Sequence, residues 1–231
     1  MALAALSTAA YGQGRALPTA VLGVLNFALR LEYLESEFYN RGVAAAGLIP
    51  AADRTIFTTI QSHEAVHVDY LKTLLGSSAR PKPTFDFTAG NGSGSGPFAD
   101  VFTNYATFLA VAQAFEDTGV RAYKGQAATL APYKDVLQAA LSVHSVEARH
   151  AAEVRRLRGN FQDNEPNQGW ISGAMTDVAA IAPVYAGEAN TTHLGLDVTT
   201  ITGVSAGAVT EAFDEPLTMA QVLAIVDPFI A

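Results

Sequence analysis

A chain of 231 residues with 14 Lys and Arg against 22 Asp and Glu carries a formal net charge of −8 and a pI near 5.0. Hydrophobic residues make up 49% and charged residues 16%, well under the roughly 25% charge of ordinary soluble domains, so a packed core is expected and disorder is not. The acidic balance gathers neither nucleic acid nor anionic lipid, and without a single cysteine any metal must be held by Asp, Glu or His.

Met1 to Ala10 is apolar and rich in small residues, with no basic residue before Arg15. It reads equally as a signal remnant or as the first turns of a packed helix, and residues 1–17 are set apart as an N-terminal segment. Export is slightly favoured by the missing cysteines and scarce lysines, with the cytoplasm as the alternative. No stretch approaches the ~20 apolar residues that span a bilayer.

The first helix is expected from Pro18, a good first-turn residue, to about Arg41 and Gly42. The second follows Pro50, with Asp53 as its N-cap, and closes at Leu75 and Gly76. Gly76 to Gly96 then reads as a flexible connector, because its core from Ala89 onward is Gly and Ser with one Asn. At ~3.3 Å per residue it outreaches the ~35 to 40 Å of a 25-residue helix, so it can cross the length of a bundle. The third helix is expected from Pro97 to Asp100 onward as far as Ala128, and the fourth from Pro132 to Gly159. Short turn, long crossover, short turn is a four-helix topology. Beyond Gly159, Asn160 to Asn167 reads as a polar loop, Met175 to Val184 as a helix that Pro183 and Gly187 interrupt, and Thr218 as the cap of a last helix, Met219 to Val226. The whole divides into the segment 1–17, a four-helix bundle 18–160 and a C-terminal extension 161–231 packing on it.

The strongest signal is an internal repeat. Glu32, Tyr39, Glu64, His67 and Gly76 recur as Glu116, Tyr123, Glu147, His150 and Gly159, at a shift of 84 or 83 residues. Such matching indicates two copies of one helical hairpin. The midpoint of Glu32 with the Glu64/His67 pair falls between Leu48 and Pro50, and that of Glu116 with Glu147/His150 between Ala131 and Tyr133. Both are predicted turns, so each hairpin sets one Glu opposite a Glu-x-x-His whose two members share a helix face.

Glu32, Glu64, His67, Glu116, Glu147 and His150 therefore form one expected layer inside the bundle. Four carboxylates packed in a core repel one another and cost several kcal/mol each unless compensated. Two divalent cations balance them and leave the imidazoles as neutral ligands. Carboxylate with imidazole suits iron or manganese, and zinc stays open. Glu35 and Glu37 compete with Glu32, but only Glu32 repeats the spacing to Tyr that Glu116 has to Tyr123. Glu35 is kept either as a residue that backs the ligands from just behind them or as a surface residue. Tyr39 and Tyr123 face the same way as their Glu, for a hydrogen bond, a redox role or plain packing. His63 and His144 fall outside the repeat and read as surface or polar-network residues. Arg149 and Arg155 read as outer ion pairs.

A Glu from each of two helices with a Glu-x-x-His from each of the others resembles the dinuclear site of ferritin-like proteins. More narrowly, Leu31 to Tyr39, His63 to Leu71 and Val146 to His150, with Glu211 to Leu217 and Val226 to Ile230 near the C-terminus, resemble the ferritin-like desiccation-related proteins of bacteria and plants. The resemblance implies an all-α fold, a ferritin-like four-helix bundle of two antiparallel hairpins with a helical and loop extension. It also implies two divalent ions, iron or manganese, with the same six residues as ligands and as catalytic groups. The substrate would be dioxygen or hydrogen peroxide in stress or desiccation protection, as a ferroxidase-like or catalase-like oxidoreductase; manganese catalases use a similar ligand set. A homo-oligomer is compatible with this. The alternative is a non-catalytic protective protein whose metal clamps the bundle.

Overall fold

A computed structural model describes residues 17–159 and 168–231. The signal-remnant question and the loop 160–167 lie outside the described residues. Four long helices dominate: α1 (Thr19–Ala44), α2 (Arg54–Leu75), α3 (Tyr105–Leu130) and α4 (Lys134–Arg158). α1 packs along α2 and α3 along α4, while α1 and α3 join the two hairpins. The fold is all-α, as expected from the pattern; among the described residues one antiparallel pair of short strands departs from it, β1 (Thr192–His193) and β2 (Leu196–Asp197).

Several boundaries move for local reasons. α1 runs past Gly42, which serves a close approach instead of a stop: a Cβ there would overlap the Phe108 ring. Asp53 precedes α2 without capping it, and its carboxylate accepts a hydrogen bond from the Tyr105 hydroxyl at 2.8 Å. α3 starts at Tyr105 and not near Pro97, because Asn104 is the residue whose side chain accepts from the amides of Ala106 and Thr107. Gly76 and Gly159 end α2 and α4 with positive φ, the conformation glycine adopts without a steric penalty.

The crossover does span the bundle. At one end Asn26 bonds the Ser78 carbonyl and the Arg80 amide; at the other, Tyr105 meets Asp53. Yet its Gly/Ser run is a folded loop, not a loose tether. The buried Asp86 carboxylate accepts from the amides of Thr88, Gly92 and Gly94 and from the Thr88 hydroxyl. Phe85 and Phe87 enter the core, and the C-terminus pairs alongside through Asp86 N–H to Phe229 O and Ala231 N–H to Thr84 O.

In the C-terminal part, the stretch read as a helix from Met175 is helical only as a 3-10 turn at Ala179–Tyr185, around Pro183. Short helices α5 (Val198–Thr202) and α6 (Ala206–Glu211) precede α7 (Met219–Val226), whose Thr218 and Gln221 form a capping box. The part is fastened to α3 by Arg121. This fully buried side chain donates to the carbonyls of Val184, Ala186 and Glu215 and pairs with Glu188 at 2.8 Å. Arg155, expected in an outer ion pair, does make one, with Asp117, but in the interior, and the Asp117 carboxylate also accepts from the Tyr185 hydroxyl at 2.8 Å. No helix among the described residues is long and apolar enough to cross a membrane.

Candidate metal centre

The matched heights of the repeat bring all six predicted side chains into one layer. Glu32 comes from α1, Glu64 and His67 from α2, Glu116 from α3, Glu147 and His150 from α4. The four carboxylates are 0% exposed and the imidazoles of His67 and His150 8% and 5%. Two overlapping sets form: Glu32, Glu64, His67 and Glu147 in one, Glu64, Glu116, Glu147 and His150 in the other, each with ligand atoms mutually within 4.8 Å. Glu64 and Glu147 belong to both. Spacing alone did not single out these two as the shared carboxylates; it needs the side chains in place.

The distances describe two cages. His67 Nδ1 lies 3.1 Å from Glu32 Oε2, 3.1 Å from Glu147 Oε1 and 3.4 Å from Glu64 Oε2. His150 Nδ1 lies 2.9 Å from Glu64 Oε1, 3.4 Å from Glu116 Oε2 and 3.8 Å from Glu147 Oε2. One imidazole N–H cannot serve three carboxylates. Both oxygens of Glu64 and of Glu147, Oε2 of Glu116 and Nδ1 of His150 are sealed from solvent with no hydrogen-bond partner. Buried polar atoms left so are costly, and cations seated among them would satisfy every one. The residues therefore fit a pair of metal ions, and the cluster is compatible with a dinuclear site.

Without a cation, the same crowding distorts the titration of each group. Burial, then the charge of Glu147, pushes Glu64 up to about 7. Burial pushes Glu116 up to about 8 against the pull of His150. Burial acts on Glu147 too, but the His150 and His67 imidazoles beside it outweigh burial and hold it at about 2. Burial disfavours charge on His67 and His150 as well, yet the carboxylates around them win: His67 is raised strongly and His150 to about 12. Such opposed shifts are how buried sites meant for cations or acid–base work differ from ordinary cores.

Around the layer, the tyrosines cross between hairpins. Tyr39 donates to Glu116 Oε1 and Tyr123 to Glu32 Oε1, so each orients a carboxylate of the opposite copy. Two more residues flank the layer. Glu35 takes the first of its two expected places and not the surface: it is buried beside the cluster, where burial and the charges of Glu147, Glu64, Glu116 and Glu32 raise its pKa. Room for it comes from Gly119, where a Cβ would stand 3.2 Å from Glu35 Oε1 and 3.6 Å from Glu147 Oε2. The available signal was that Gly119 is the repeat equivalent of Glu35, an acid in one copy facing an empty side chain in the other. His63 sets its Nδ1 2.9 Å from His150 Nε2, behind the face that meets the carboxylates. His63, Arg149, His150 and Glu153 line an open cleft between α2 and α4. His144 belongs to neither set.

A family model described as the ferritin-like domain matches residues 20–160. Comparison with curated proteins gives no match.

Proposed function

The chain belongs to the ferritin-like domain family, and from that premise we propose that it holds two divalent ions, iron or manganese, among Glu32, Glu64, His67, Glu116, Glu147 and His150 and reacts with dioxygen or hydrogen peroxide. The observation that carries the reading is the pair of buried four-residue sets sharing Glu64 and Glu147, with polar atoms that no protein group satisfies. Oxygen donors with one imidazole per set suit iron and manganese. Two adjacent redox ions would supply the electron change that an oxidant requires. The protein's part is to hold them: Glu64 and Glu147 neutralise charge between the two positions, Glu32 with His67 and Glu116 with His150 close each side, and Tyr39 and Tyr123 fix the terminal carboxylates. The motifs at Leu31 to Tyr39, His63 to Leu71 and Val146 to His150 favour the desiccation-related branch and a protective role.

Elemental analysis of protein purified without added metal, followed by Fe(II) oxidation and peroxide turnover assays, tests this. The expected result is two transition-metal ions per chain and oxidation of Fe(II) or consumption of peroxide. Stoichiometric metal with no turnover of either would replace the redox reading with a metal-clamped protective protein, and no metal would end both.

A further inference from the structure

The bundle core is built differently on the two sides of the acidic layer. Toward Gly42 it is filled by aromatic rings: Phe38 stacks on Phe108 at 4.8 Å, and Phe57 meets Phe108 edge-on at 5.1 Å. Toward Gly76 the adjoining layer is lined mostly by aliphatic side chains, with Phe27, Tyr70, Tyr123 and Gln126 among them, and leaves a cavity between the four helices. Its walls stand one helical turn from the cluster: Ala28 precedes Glu32 by four residues, Leu71 follows His67 by four, and Val143 precedes Glu147 by four. Tyr123, which bonds Glu32, forms part of the boundary.

The surface this cavity presents is almost wholly carbon, and the space open to the centre of a water-sized sphere is about 20 Å³. A water needs roughly 10 to 15 Å³ and two to four polar partners, and apolar cavities that lack the partners stay dry and take up apolar guests such as xenon. A peroxide molecule entering would give up its hydrogen bonds at a cost of several kcal/mol, whereas a diatomic gas gives up none. Polar solutes have another approach, the open cleft lined by His63, Arg149 and Glu153.

We propose that the cavity bounded by Ala28, Leu71, Tyr123 and Val143 is a holding site for dioxygen, from which this apolar gas reaches the acidic layer. The proposal rests on the redox reading above and selects dioxygen from its two candidate oxidants. The overall step balances with the reactants named: two Fe(II) ions give one electron each to dioxygen, which takes up two protons and leaves as hydrogen peroxide.

The test has two arms. Metal-free crystals pressurised with xenon are expected to show a xenon atom among Ala28, Leu71 and Val143; none there overturns the proposal whatever the metal content. In the second arm, wild type, Ala140→Leu at the half-buried rim and Val143→Leu in the wall are loaded with Fe(II) and mixed with dioxygen or with hydrogen peroxide. The substituted proteins should lose the xenon site and slow by about tenfold with dioxygen, a barrier rise of about 1.4 kcal/mol, while peroxide oxidises them at the wild-type rate. Equal slowing with both oxidants, or an unchanged dioxygen rate in a variant whose xenon site is gone, overturns it. Failure of wild type to bind Fe(II) counts against the metal reading itself, and the xenon arm then decides on the cavity alone.

Discussion

The two hairpins carry the same ligands in the same places and live in different surroundings. Glu32, Tyr39, Glu64 and His67 of the first match Glu116, Tyr123, Glu147 and His150 of the second, and all eight meet at one level. Away from that level the copies part. Glu37, near the surface in the first, corresponds to Arg121, fully buried in the second; Lys72 corresponds to Arg155 and Tyr33 to Asp117. The C-terminal part covers α3, and the residues beneath it form a buried polar clamp, whereas their counterparts are half-buried (Tyr33, Glu37) or exposed (Lys72). Around the ligands the first copy adds buried Glu35 and exposed His63 where the second has Gly119 and Val146. Positions the cations would touch are held equal, and asymmetry is confined to what surrounds them.

The largest effect should come from breaking the equality at its shared members. Glu64→Ala or Glu147→Ala removes a carboxylate common to both sets, so both of the proposed ions should be lost. With metal present at about a thousand times its dissociation constant, each bound ion stabilises the fold by ~4 kcal/mol, and that sum disappears. Glu32→Ala or Glu116→Ala should cost one ion only. Metal analysis with thermal unfolding separates the cases; equal losses in all four variants would mean that the sets are not distinct.

Next comes the clamp. Arg121→Met leaves Glu188 buried without its partner, and breaking such a pair costs ~3 to 5 kcal/mol. At the equivalent place in the first hairpin, Glu37→Gln loses only its pairs with Arg41 and Lys82 near the surface, worth ~0 to 1 kcal/mol. Denaturant unfolding of the two variants measures the contrast directly, and a similar cost for both would deny that the C-terminal part is what distinguishes the copies.

Smaller and of definite sign is the effect of pH on the metal-free protein. Glu64 and Glu116, raised from 4.5 to about 7 and about 8, contribute stability below 4.5 that is lost as pH climbs through those values. His150, raised from 6.5 to about 12, contributes fully below 6.5 and loses that contribution steadily above it. Both push the same way between about pH 6.5 and 8, so the melting temperature of metal-free protein should fall across that interval. Glu147, lowered from 4.5 to about 2, is already ionised there and adds no slope. Cations need ionised carboxylates, so the rise in melting temperature on adding metal should grow over the same interval. Glu35→Gln removes one raised carboxyl and should flatten the metal-free profile while leaving two ions bound, since Glu35 belongs to neither set.

Legibility followed the range of the interactions. The six-residue layer could be read from sequence because helix periodicity and a turn midpoint fix heights, and the repeat supplied each reading twice. Helix starts were readable only where the signal was local: Thr218 caps α7 as its sequence promises, whereas Asp53 looks like a cap and spends its carboxylate on Tyr105, fifty-two residues away. The Gly/Ser run misled for a like reason. Its glycines permit the positive φ angles of a tight loop, and what makes it a loop instead of a tether is Asp86 outside the run and Phe229 at the far end of the chain. Arg155 was misplaced because burial of its ion pair depends on Tyr185 and the segment around it.

The finest test of the asymmetry concerns His63. It reaches from the first hairpin to His150 in the second, at 2.9 Å between ring nitrogens, and Val146 at the repeat-equivalent position can offer His67 no hydrogen bond. A partner on the outer nitrogen fixes the ring and its tautomer, leaving Nδ1 free to face the carboxylates, and losing such a partner weakens a metal by about 10- to 100-fold. Because His63 is exposed, the lower figure applies, about 1.4 kcal/mol. His63→Ala should therefore keep both ions at saturating metal, because His63 belongs to neither ligand set. It should weaken one of them about tenfold in a chelator competition, the ion of the set containing His150. Val146→Ala should change neither constant. If His63→Ala left both constants untouched, the contact with His150 would be packing alone, and the two halves of the site would be equal in everything but Glu35.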